Sequence, residues 1–63
     1  MKNYVCIQDY DPCFGFKILK SKDNYTYSIL NWSDPIASIF DDQDRLVGTI
    51  YTSDIPKHFR EIV

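Results

Sequence analysis

Glycine is scarce in this 63-residue chain, with only Gly15 and Gly48 present. So few cannot build the Gly-rich loop that cradles a phosphate, which removes the P-loop and dinucleotide-binding classes. Histidine is scarcer still, and a lone His58 has no second histidine to share a metal or a proton relay. The two cysteines, Cys6 and Cys13, lack the close-paired spacing of structural zinc. They flank a turn, which leaves a cross-strand disulfide geometrically open. No run of 18 apolar residues exists, so no membrane-spanning helix is expected. The opening Met-Lys-Asn-Tyr-Val-Cys-Ile-Gln lacks the apolar stretch of a signal peptide, which points to the cytoplasm and to reduced thiols. Basic residues form no stripe: seven Lys and Arg stand against nine Asp and Glu, for a net charge of −2. Direct nucleic-acid binding is therefore not expected.

What is present is apolar and aromatic. Hydrophobic residues make up 44% of the chain, and Trp, Tyr and Phe together 16%. That content excludes a disordered chain and gives a single small domain, residues 1–63, the material for a core. Such a core is small, since a chain of this length buries only roughly 60% of its unfolded surface. All but one of the nine acids are Asp, and Asp favours turns and caps where Glu favours helix interiors. The charge is uneven: Lys2, Lys17, Lys20 and Lys22 outnumber the acids in residues 1–22, while residues 23–63 are acidic.

Apolar residues recur with a period of two. Alternation predicts strands at 3–9, 14–20, 25–32, 36–40 and 45–51. Turn chemistry separates them at Asp9-Tyr-Asp-Pro12, Lys22-Asp-Asn24, Ser33-Asp-Pro35 and Asp41-Asp-Gln-Asp44. Gly48 inside a strand predicts a bulge or a close backbone approach. From Thr52 the pattern changes. Thr52, Ser53 and Asp54 offer N-caps, Pro56 suits a first turn, and Ile55, Phe59, Ile62 and Val63 fall on one helical face. The expected fold is α+β: a small antiparallel sheet of about five strands in a meander, followed by one short C-terminal helix packed on it.

Catalysis needs convergent groups, and none emerges. His58 lacks a paired carboxylate, neither cysteine has an activating base nearby in sequence, and the 41–44 loop lacks the Gly and distal Glu of a calcium-binding EF-hand. No enzyme, cofactor or metal is expected. Residues 36–63 resemble the second half of a CBS domain, the cystathionine-β-synthase-type module. The likeness rests on a strand, an acidic turn, the strand Arg45-Leu-Val-Gly48 and Thr52-Ser-Asp54-Ile55 opening a helix. It implies ribose binding by Asp54, although Tyr51 stands at the family's Thr/Ser position and the module's first half has no counterpart here.

The aromatic surplus carries the functional expectation. One helix of about ten residues cannot cover aromatics on both faces of a sheet, and Tyr and Trp dominate interface hot spots. The chain is thus read as a non-enzymatic interaction protein that binds and modulates or inhibits another protein. By analogy of size and composition it is of the phage or mobile-element inhibitor type, with a host or defence protein as partner. The expected partner-binding residues are Trp32, Tyr25, Tyr27, Tyr51, Asp41, Asp42 and Asp44, and pairing into a homodimer is expected to complete the small core. Two alternatives stand: a regulatory module binding a nucleotide or similar anion near Asp54 and the helix N-terminus, and an acidic nucleic-acid mimic.

Overall fold

Five strands form one antiparallel sheet in the computed structural model, which describes residues 3–62 apart from 14 and 34 and, for 31–33, the backbone alone. They are β1 (Asn3–Cys6), β2 (Thr26–Ser33), β3 (Ile36–Phe40), β4 (Leu46–Tyr51) and β5 (Phe59–Ile62). A four-residue helix, α1 (Ile55–His58), precedes β5. The strand order is β4-β3-β2-β1-β5, so the first four strands run as a meander and the last returns beside β1. The α+β architecture read from the sequence, an antiparallel sheet with one short helix near the C-terminus, is the fold of this chain.

Two elements differ from the sequence pattern. Among the described residues, 15–20 form no strand, and only Leu19 pairs, with Tyr10, through reciprocal backbone bonds of 2.9 and 2.8 Å. Cys13 and Gly15 both take positive φ, which breaks an extended run before a ladder can form. Phe14, which begins that run, lies outside the described residues. At the other end the helix stops after one turn. Isolated helices this short are marginal in water. Residues 59–62 instead gain backbone pairing with β1, where Cys6 faces Phe59 and Tyr4 faces Glu61. The fifth strand is thus 59–62 rather than 14–20; Val63, the last residue of the helical stripe, lies outside the described residues.

Cross-strand partners share a sheet face, so register sorts the side chains. Tyr4 faces Tyr27, Ile29 faces Ile39, and Ala37 faces Ile50. This inner face supplies the core: Cys6, Tyr27, Ala37, Ile39, Ile50 and Phe59 are buried there, joined by Leu19 from the irregular segment. Edge-on packing fixes Tyr27 against Phe59, with ring centroids 5.8 Å apart at 81°. With no long helix available, two connections cover the face. The 7–25 segment lays Pro12 over Gly48 and Leu19 against the core, and the 52–58 link crosses from one sheet edge to the other with Ile55 packed on the core. Gly48 carries both features expected of it, a bulge between Ile39 and Phe40 and a close approach by Pro12.

Candidate functional site

The β3–β4 hairpin is built by a single aspartate. Asp41 Oδ1 accepts the backbone N–H of Gln43 at 2.9 Å and of Arg45 at 2.8 Å, and Oδ2 accepts Arg45 Nε at 3.1 Å. The Asp44 N–H closes the turn on the Asp41 carbonyl at 3.1 Å, with Asp44 at φ +63°. These donors, the Arg45 backbone N–H foremost, hold the Asp41 carboxyl below the usual carboxylate range. The short-chain aspartate reaches its own backbone, which is why this residue type suits the loop.

Opposite the hairpin, Asp9 does the same for the long connection. Its Oδ1 accepts the Ser21 N–H at 2.9 Å and the Ser21 hydroxyl at 3.2 Å, which lowers its pKa through the backbone bond first. Asn24 then turns the chain at φ +58° and delivers Tyr25 and β2. Between the two anchored segments lies a groove of 570 Å³. Leu19, Tyr27 and Val47 floor it, Ile18, Tyr25 and Leu46 wall it, and Asp23, Asp41 and Asp42 face Lys17 and Arg45 at its rim. Three apolar walls stand open to solvent: Tyr25 is 60% exposed, Ile18 51% and Leu46 48%.

Four of the residues read as partner-binding thus meet here, namely Tyr25, Tyr27, Asp41 and Asp42. They do not play equal parts. Tyr27 is a core residue, 4% exposed, and cannot serve as a surface anchor; its alternation partner Tyr25 projects instead. Desolvation raises the Tyr27 pKa, and the groove residues Asp23, Tyr25 and Asp41 push it the same way, as does Cys6. A Tyr27→Ala change removes core packing and destabilises the monomer rather than sparing it, since deletions of this size cost about 3–5 kcal/mol. Asp41 spends its carboxylate on the hairpin, whereas Asp42 is exposed with no ion pair among the described residues.

The other expected residues lie apart. Tyr51, 57% exposed, is at the far end of β4 beside a second hollow of 360 Å³ shared with Tyr10, Pro12 and Cys13. Asp44 sits on the hairpin but does not line the groove. Trp32 belongs to β2, and its side chain lies outside the described residues. Sequence reasoning missed Ile18, Leu46 and Asp23. Alternation puts Ile18 on the buried side of a strand that does not form, and nothing in the composition distinguishes an apolar wall from a core position.

The anion site expected near Asp54 would stand at the start of α1. The helix has one turn, and the Asp54 carboxylate lies 3.4 Å from Lys57 Nζ. His58 packs on the Tyr10 ring at 4.9 Å, with Nδ1 3.3 Å from the Gln8 carbonyl. Among the described residues no group of three or more His, Cys, Asp or Glu is placed to hold a metal, and no helix is long and apolar enough to cross a membrane. Both cysteines are free: Cys6 is buried, with its thiol pKa pushed up by desolvation, and Cys13 is exposed. No protein-family model, no curated protein and no solved structure matches the chain.

Proposed function

We propose that this chain is a non-catalytic protein-binding module that seats a segment of another protein in the groove between the 15–19 segment and the β3–β4 hairpin, and modulates or inhibits that protein by occupying its surface. The observation that carries the reading is convergence: Tyr25 and Tyr27 from one stretch and Asp41 and Asp42 from another line one concavity with an apolar floor. Concavities with an aromatic wall and an apolar floor are where interface energy concentrates, and here charged side chains surround them. Asp41 and Arg45 neutralise one another, which leaves Asp23 and Asp42 against Lys17 and favours an apolar side chain flanked by a base. An exposed, unpaired Cys13 suits the reducing cytoplasm. A sheet this small gains a second layer from a second copy, so the module is proposed as a homodimer.

The test is affinity capture from lysate with three baits in parallel: wild type, Tyr25→Ala and Asp42→Lys. Both side chains are exposed, so both variants keep the fold. The expected result is a protein retained by wild type, lost from both variants, and bound again when purified. Equal retention by all three baits, or no specific protein on wild type, refutes the groove.

A further inference from the structure

We infer that the outer face of the sheet is closed by a second copy of this chain, in a face-to-face C2 dimer. The inference rests on the homodimer reading and not on the groove. Val5, Leu30, Ile36, Phe40, Tyr51 and Ile62 share the outer face by strand register, with Leu46, opposite Phe40 across the bulge, between this face and the groove; none of them joins the core cluster. The two connections that cover the sheet reach the inner face, through Pro12, Leu19 and Ile55. On the other side, the described contact with these connections is at the β4 end, where Ile36, Thr49 and Tyr51 share a hollow with Tyr10, Pro12 and Cys13.

The sheet's free edges are guarded, which leaves the face as the surface for self-association. Because Thr52 N–H bonds the Pro35 carbonyl at 2.8 Å, the alternate pairs Ile50–Ala37 and Gly48–Ile39 point their backbone groups at β3. Thr49 therefore points its carbonyl outward, and the Tyr10 hydroxyl already donates to it at 2.6 Å. A strand adding to β4 must break that bond. The β5 edge carries Arg60 and Glu61, the charges that blunt edge pairing.

The outer face lacks any such guard. Among its described side chains Arg60, on an edge strand, is the only charge; Ser28, Ser38, Thr26 and Thr49 fill the spaces between the apolar groups. An isologous interface sets a patch against itself, so a nearly uncharged patch meets its copy without repulsion while the molecule keeps its net −2 elsewhere. Five strands about 4.8 Å apart and about five residues long give a footprint of roughly 400 Å². Two such footprints together come to roughly 800 Å², at the low end of the interface sizes seen in weak, transient complexes.

Sedimentation equilibrium over a concentration series reads the outcome. Wild type is expected to shift from monomer to a species of twice 7.4 kDa, with a Kd on the order of 1–100 µM. Ser38→Arg places a charge beside Leu30 in the middle strands and is expected to weaken association about 100-fold or more, with circular dichroism unchanged. Thr26→Arg, at an exposed position on the same face, does the same should Ser38→Arg fail to fold. Tyr25→Ala, in the groove, leaves the dimer intact, so loss of groove binding and loss of the dimer are read separately. A wild type that stays monomeric at millimolar concentration overturns the inference, and so does a dimer indifferent to both arginine variants.

Discussion

Gly48 is a position where the covering segment leaves no room for a side chain on the sheet, and replacing it with alanine tests how the inner face is roofed. A Cβ there would stand 2.6 Å from Pro12 Cβ and 3.0 Å from Pro12 Cγ, against 3.4 Å for ordinary contact. The roof must lift by about 0.8 Å, yet Tyr10, two residues away, is tied to Thr49 at 2.6 Å and to Leu19 by a two-bond bridge. Overpacking of this kind costs about 1–3 kcal/mol. For 63 residues the whole stability is roughly 3–9 kcal/mol, so the loss is large in proportion. It should lower Tm by roughly 5–20 °C.

Backbone preference opposes this result, because Gly48 is not at positive φ and alanine in a strand interior is favoured over glycine by about 0.5–1 kcal/mol. The cycle with Pro12 separates the two effects. In a Pro12→Gly background both clashing atoms are gone, and Gly48→Ala should become neutral or mildly stabilising, for a coupling of about 2 kcal/mol. Pro12→Ala keeps the Cβ at 2.6 Å and should rescue little. Thermal melts of the four cycle members and Pro12→Ala suffice. If Gly48→Ala costs nothing, the close roof contact is refuted; if it costs as much without Pro12, the bulge and not the roof requires glycine.

Two further predictions follow from the hydrogen bonding. Asp41 has a folded pKa below its unfolded value, so its contribution is fully present above about pH 4 and is lost as pH falls through the folded pKa; melts from pH 7 to 2 should show an acid limb that Asp41→Asn makes shallower, and an unchanged limb refutes the hairpin role. Cys13 should react with a thiol reagent in the native protein while Cys6, buried and bonded to the Gln8 carbonyl at 3.1 Å, reacts only on unfolding; equal native reactivity, or fewer than two thiols in denaturant, counts against the packing described.

The strands visible in the sequence are those whose alternation is backed by a neighbour. Residues 36–40 and 46–51 pair through the Asp41 hairpin, and both the turn and the strand boundaries follow from local chemistry. The run 14–20 alternates just as well, but alternation says only that one side is apolar. Whether that side meets a ladder or lies flat over a core depends on Cys13 and Gly15 taking positive φ, and a cysteine there gives no sign of it. The helical stripe at 55–62 misleads for a similar reason. Phe59 is buried in either conformation, and the choice is made by the free edge of β1, a partner more than fifty residues distant. The same limit governs the groove. Tyr25 and Asp42 are legible as exposed residues beside turns, whereas Ile18 becomes a wall only because its segment leaves the sheet plane.

The two surfaces argue for each other. The groove is floored by Leu19, Tyr27 and Val47, which belong to or pack on the inner-face core, while the proposed self-association surface is the opposite side of the same sheet. A dimer closed through the outer faces therefore turns its two grooves away from one another, with neither blocked by the contact. Such a particle engages a repeated or dimeric target at two points. The second engagement is then intramolecular, and avidity can exceed single-site affinity by about 10²–10⁴ without a new contact. On the proposed reading, a small chain would gain in this way what its size denies it in contact area. The consequence can be measured: Ser38→Arg, which leaves the groove untouched, should weaken binding to an immobilised partner at high surface density far more than at low density. Equal weakening at both densities would mean that the groove acts alone.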